Sequence, residues 1–417
     1  MDEDPTVVHA RAGINLAELA IFDAEYRENP HAVLRRIAPP EHPVRQVRLP
    51  SGALAWVVTD GALARQILAD RRFSKKHPNK TDALDDGGSH FLFGHMLSLD
   101  PPEHTRLRGF VSAFFLPRQV EQYRRSIQMA CDELITSFEE QHSIDLVSEF
   151  AKPLALRTIC SITGLPKEAE RLVQQWSERL VKADFEDPSL FPQIADEMCR
   201  YFGEVLEQAP PPSGSVLARL AAAVSAGQLN RQELFSMTFL LLNAGYETTA
   251  NLVSSGLLSL LRNRPQWAAI CSDPSLTVNC VEELLRFESP LQMTTPRFAS
   301  ADVALAGQTI REGDMVFAAL CAVNRDAAQF PQPDELNVAR ENAGQHISFG
   351  HGVHYCIGAH LARLEAGIAI SALARSFPNL QYNESQGAPS WDRGFVMRGL
   401  TALPLVLRTR PDAASRR

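Results

Sequence analysis

The chain has 417 residues, 45% of them hydrophobic and 22% charged, with seven cysteines and a formal net charge of −8. This composition excludes collagen-like, low-complexity and charge-driven disordered classes, and a chain this long buries enough surface to fold without disulfide or metal staples. The negative balance disfavours nucleic acid, whose phosphates call for a basic face, and an odd cysteine count with no pair closer than Cys271 and Cys280 excludes CxxC zinc knuckles and thioredoxin-like pairs.

A reducing, cytosolic setting is the expectation. The acidic start Met1-Asp2-Glu3-Asp4 has no apolar run behind it and reads as a chain without a leader. The first regular element is a hairpin, with Val44 to Leu49 and Ala53 to Val58 flanking Pro50-Ser51-Gly52. A loop carrying Phe91 and Phe93 leads to Asp100-Pro101-Pro102-Glu103. This is a helix start with Asp100 as N-cap, prolines in the first turn and a carboxylate at the third position. On that helix His104 and Arg108 stand four apart and share a face.

Asn230-Arg231-Gln232-Glu233 is a capping box opening a helix with no stop signal before Arg264-Pro265, about 50 Å long by the helical rise. Glu247 is the only charge between Leu234 and Leu261, which sets the segment apart from a membrane span and makes it a buried central helix. Its centre, Ala244-Gly245-Tyr246-Glu247-Thr248-Thr249, combines small residues that let a flat group approach the backbone with hydroxyls that can disturb the helical bonds. A carboxylate in such apolar surroundings is costly unless it serves a purpose. Glu283 and Arg286 lie three apart on one face of a later helix. Short strands follow between Arg297 and Leu320, broken by the turn Arg311-Glu312-Gly313-Asp314. No repeat or long linker interrupts the chain. Residues 1–417 are expected to form one mainly α domain with small β-sheets.

The densest signal is Phe349-Gly350-His351-Gly352-Val353-His354-Tyr355-Cys356-Ile357-Gly358-Ala359. Three glycines surround one cysteine, and Ile357, Leu361, Leu364 and Ile368 then recur at helical spacing. Cys356 thus sits where a tight loop enters a helix, a place that favours a thiolate and offers backbone N–H groups to its sulfur. The residue types leave other chemistries open. His351, His354, Cys356 and His360 are those of an irregular zinc site, and Cys356 with a histidine those of a nucleophile. The other six cysteines read as packing residues.

This loop resembles the cysteine-ligand loop of the cytochrome P450 superfamily, matching it at Phe349, Gly350, Gly352, His354, Cys356 and Gly358, with Ile357 where leucine is common. The resemblance extends over most of the chain. It implies the P450 fold, a haem b cofactor with Cys356 as its iron ligand, and Phe349, Gly350, Ala244, Gly245 and Gly358 around it. His104, Arg108, Arg297 and His354 match the family's propionate partners, and Glu283, Arg286 and Arg340 its structural triad. Glu247 and Thr248 resemble the acid–alcohol pair, which implies proton delivery.

The reaction implied is insertion of one oxygen atom from O2 into a bulky, largely hydrophobic substrate, by hydroxylation or epoxidation, in secondary-metabolite biosynthesis of the polyketide and macrolide kind. Oxidative ring coupling, peroxide-driven oxidation and a haem-binding sensor are the alternatives. By the same resemblance Phe91, Phe93, Leu240, Leu241, Met293, Thr294, Phe395 and Val396 line the pocket. The chain shows no dinucleotide fingerprint, so electrons from NAD(P)H are expected through a ferredoxin or flavodoxin with its reductase. Arg106, Arg118, His360 and Arg363 are candidates for a basic docking patch. A cytoplasmic monomer that binds neither nucleic acid nor membrane completes the expectation.

Overall fold

The computed structural model describes residues 24–49, 52–76, 93–138, 140–185, 187, 189–392 and 394–407. Phe91 lies outside them. In chain order the principal helices are α1 (Ala24–Glu28), α2 (Pro30–Ile37), α3 (Gly61–Ala69), α4 (Glu103–Val111), α5 (Pro117–Phe138), α6 (Lys152–Thr163), α7 (Ala169–Phe185), α8 (Leu190–Gln208), α9 (Val216–Ser225), α10 (Arg231–Arg262), α11 (Arg264–Ser272), α12 (Thr277–Glu288), α13 (Leu320–Val323) and α14 (Ala359–Ser376). The strands are β1 (Val44–Arg48), β2 (Leu54–Val58), β3 (Phe73–Ser74), β4 (Ser143–Asp145), β5 (Arg297–Ala299), β6 (Val303–Leu305), β7 (Gln308–Ile310), β8 (Met315–Ala318), β9 (Gln381–Tyr382) and β10 (Pro404–Val406).

The central helix α10 begins at the expected capping box. Asn230 Oδ1 accepts from the Glu233 N–H at 2.7 Å, and Glu233 Oε2 accepts from the Asn230 N–H at 3.0 Å. It runs 32 residues, about 48 Å by the helical rise. It packs against α6, α9, α11, α12 and α14, and side chains all round it are buried. No described helix is long and apolar enough to cross a membrane.

Helix α4 starts differently from expectation. Its cap position is Pro102, which offers no side-chain bond. The Asp100 carboxylate turns instead to strand β3, accepting from Ser74 Oγ and from the Lys75 N–H at 3.1 and 3.0 Å.

The hairpin β1–β2 forms with Val44 opposite Val58 and Arg48 opposite Leu54. The later strands do not make a separate patch. β8 pairs parallel to β2 and antiparallel to β5, which pairs with β3, giving a five-stranded sheet in the order β1-β2-β8-β5-β3. Strand alternation sends Val44, Val58 and Val316 to one core cluster and Val47, Val57 and Phe317 to another, where α1 and α2 cover the opposite face. The largest cluster is helical and surrounds α10.

Glu283, Arg286 and Arg340 meet in the interior. Glu283 takes two bonds from Arg286 at 2.7 and 2.8 Å and two from Arg340 at 3.1 Å. The remaining guanidinium N–H groups donate to the carbonyls of Asn324, Pro331, Gln332, Pro333 and Glu335. Each buried charge is thus paired and its spare donors are satisfied, the condition under which burial is tolerated. The network reaches the cysteine loop. Asn324 Oδ1 accepts from the Ile347 N–H at 2.9 Å, and Ser348 Oγ donates to the Leu285 carbonyl at 2.7 Å.

Candidate active site

The loop before α14 is closed by its own backbone. The Gly350 N–H donates to the Ile347 carbonyl at 2.8 Å, and the Cys356 N–H to the Phe349 carbonyl at 2.9 Å. Gly350 and Gly352 have φ of +73° and +74°, and a Cβ at Gly352 would stand 2.6 Å from the Leu68 carbonyl oxygen. Both the turn and the close approach to α3 therefore require glycine. Phe349 packs under Arg363, whose guanidinium carbon lies 4.6 Å from the ring centroid. Arg108 donates to the Tyr355 carbonyl at 2.8 Å, one residue before Cys356.

Burial pushes the Cys356 thiol up, partly offset by the Gly358 N–H and by the charges of Arg108 and Arg363. A free thiol so shifted is a poor nucleophile, whereas a bound metal cation would stabilise its thiolate. Among the described residues no three His, Cys, Asp or Glu side chains assemble as a metal cage, so the zinc reading falls as well. None of the seven cysteines forms a disulfide. Burial raises Cys131, Cys160, Cys280 and Cys321 to about 12 and Cys199 to about 11, as befits inert packing thiols.

Beside the loop, cations gather. The His104 and His354 rings lie 4.5 Å apart. Both ring nitrogens of His104, Nε2 of His354 and Nε of Arg297 are buried without a hydrogen-bond partner. His354 is held down at about 3 by burial and then by Lys75, Arg297, His104 and Arg108. Asp100 is the carboxylate that acts on Lys75, Arg297 and His104. Such a concentration of donors and like charge is unfavourable by itself and fits an absent dianion. The two propionates of a haem would supply that charge.

The second part of the site is on α10. Ala244 is exposed in the middle of an otherwise buried helix, and Thr248, one turn on, is half-buried on the same stripe. An open space therefore faces this stripe. Thr248 Oγ1 donates to the Ala244 carbonyl at 2.8 Å, and the helix runs continuously through the motif. At Gly245 an added Cβ would stand 2.9 Å from Ile159 Cδ1, so the missing side chain lets helix α6 pack close. Glu247 accepts from Ser177 Oγ on α7. Burial raises its carboxyl, while Ser177 and Lys152 pull it back and Asp392 adds to the rise.

The expected pocket residues divide. Leu240 and Leu241 are both buried in the helical core, Leu240 on the Ala244–Thr248 face, and Phe93 is half exposed. Met293 is fully buried in the cluster under α1 and α2, and Phe395 stacks edge-on against Phe317 at 5.0 Å. Met293 sits inside that cluster and Phe395 packs partly buried against it. The Thr294 hydroxyl accepts from the Ala318 N–H at 3.1 Å, and the Val396 carbonyl accepts from the Gln292 N–H at 2.9 Å, so both hold backbone together. The basic patch is thinner than expected, because Arg106 pairs with Glu233 and Arg363 with Glu282. Lys75 and Ser177 escaped the sequence reading, since neither stands in a motif and only tertiary packing brings them to the site.

Residues 265–404 match the family model described as Cytochrome P450. The chain is 37% identical over 399 residues to Cytochrome P450 107B1 of Saccharopolyspora erythraea, covering 93% of this chain and 97% of that protein. It is 34% identical to the polyketide biosynthesis cytochrome P450 PksS of Bacillus subtilis, covering 92% and 97%. The structure of the tirandamycin C-bound P450 monooxygenase TamI superposes with a TM-score of 0.85 at 35% identity, covering 93% of this chain and 99% of that one. With the glycine-built cysteine loop, the cation nest and full-length likeness in agreement, the chain belongs to the cytochrome P450 family of monooxygenases, with haem b as cofactor and a small molecule, O2 and redox partners delivering NAD(P)H electrons as its reactants.

Proposed function

We propose that this protein is a one-domain, cytoplasmic, monomeric haem-thiolate monooxygenase that hydroxylates or epoxidises a bulky, largely hydrophobic natural product. The observation that carries the reading is the cation nest built against the Cys356 loop. Cys356 is the iron ligand in this reading, with the Gly358 N–H and the charges of Arg108 and Arg363 tempering its sulfur. His104, Arg297 and His354 hold the propionates, and Arg108 ties their edge to the ligand loop through Tyr355.

The bound haem inserts one atom of O2 into substrate while the other leaves as water, using two electrons and two protons. The chain's own part is to place and protonate. Thr248 keeps its proton on the Ala244 carbonyl and its lone pairs toward the open stripe. Glu247, its carboxyl raised by burial and steadied by Ser177, is the proton source in this reading. The apolar stripe of Leu240 and Ala244 receives the substrate. The polyketide link named for PksS and the tirandamycin ligand of TamI support the natural-product class. A separate ferredoxin or flavodoxin with its reductase supplies the electrons.

Two measurements test this. The reduced protein with CO gives the red-shifted Soret band of thiolate-ligated haem, and Cys356→Ser loses it; a band unchanged in that variant overturns the ligand assignment. Titration with a polyketide and macrolide library gives a substrate-induced spectral shift, whereas a library that leaves the spectrum unmoved removes the substrate class.

A further inference from the structure

We propose that Lys75 is a further cofactor-binding residue of this chain, its ammonium taking a haem carboxylate beside Arg297 and His354. The inference rests on the haem reading above and deepens it. Strand register brings the group into place. β3 and β5 pair antiparallel with Phe73 opposite Ala299 and Ser74 opposite Phe298, so the next position sets Lys75 against Arg297. Arg297 fixes that geometry by donating to the Phe73 carbonyl at 3.1 Å.

The partners Lys75 has in the structure do not match its charge. Nζ donates to Thr295 Oγ1 and to the Pro296 carbonyl at 3.0 Å, with the Thr295 carbonyl further off at 3.4 Å. All three acceptors are neutral. The nearby Asp100 carboxylate is already bonded to Ser74 Oγ and to the backbone N–H of Lys75. Burial first and the Arg297 charge second lower the amine to about 7, with Asp100 resisting. A lysine serving only as a strand tie has no need of a place beside an arginine and two histidines. The same lysine facing a carboxylate is fully matched, because a charge-assisted bond repairs both the desolvation and the repulsion. The Lys75 bonds to Thr295 and Pro296 connect the carboxylate site to the segment that starts at Thr294.

The test uses the haem-loaded protein and two readouts, transfer of haem to an excess apo-globin and the reduction potential. Lys75→Met removes the charge and the bonds, Lys75→Gln removes the charge but keeps a donor for Thr295, and Lys75→Arg keeps the charge. The expected result is haem transfer faster by about tenfold in both Met and Gln variants, from loss of one charge-assisted bond. Their potential falls, since one fewer cation favours the ferric state, and Lys75→Arg returns both values toward the parent. Parent-like transfer and potential in Lys75→Gln overturn the proposal and leave Lys75 a structural tie. Parent protein without a thiolate-type CO band is a failure of the haem reading itself, and the two failures are thereby told apart.

Discussion

Two side chains on α10 concentrate the residue-scale chemistry. Glu247 is raised by burial and lowered by the Ser177 hydroxyl. Ser177→Ala deletes the lowering contribution, so the carboxyl keeps its proton to higher pH. The alkaline limb of the turnover–pH profile is expected to move upward in that variant, and an unmoved limb separates Glu247 from proton supply. Thr248 has a different task, because its hydroxyl is anchored to Ala244 and faces the open stripe. Thr248→Ala is expected to retain haem and the CO band while sending most reducing equivalents to hydrogen peroxide, measured as the ratio of product to NAD(P)H consumed. Full coupling in that variant contradicts the role. Glu247 and Thr248 were both legible from the sequence, because a lone charge in an apolar helix and a threonine pair beside it are local anomalies. Ser177 was not. Its hydroxyl is one of many on an amphipathic helix, and its partner lies 70 positions away.

At the scale of elements, the triad of Glu283, Arg286 and Arg340 joins α12 to the segment leading into the ligand loop. Removing its only carboxylate leaves two guanidinium groups buried and unpaired. Glu283→Ala is expected to destabilise the fold by about 3–5 kcal/mol, seen as a lower denaturation midpoint together with loss of haem content; a variant with parental stability refutes the clamp. Helix and hairpin starts were legible where the signal is made by neighbours along the chain, as in the Asn230 capping box and the Gly52 turn. The Asp100 cap was misread for a physical reason. A carboxylate before a helix also satisfies backbone N–H groups from elsewhere, and β3 offers Ser74 and Lys75. Gly245 was legible as a close approach, but a missing side chain does not record that Ile159 of α6 is what packs against it.

For the whole molecule, the cation nest makes folding and cofactor binding one problem. Without an anion, Lys75 and Arg297 crowd like charge in a partly dry site, and His104 and His354 are pushed toward their neutral forms. A ligand that binds only the folded state stabilises it by mass action, about 4 kcal/mol at a thousandfold excess over its dissociation constant. Haem-free protein is therefore expected to melt well below the loaded form, and equal melting temperatures exclude this coupling.

The sequence by itself determined the family, the ligand cysteine's loop and the long buried helix. Those features depend on spacings of a few residues, on glycine's freedom and on capping, all of which are written locally. Only the tertiary structure decided that two strand patches make one sheet, that Lys75 bonds Thr295 and Pro296 next to Arg297, that Ser177 meets Glu247, and that Met293 is core with Phe395 packed against it. Such contacts depend on strand register and helix packing between segments far apart in the chain. No short-range pattern encodes them.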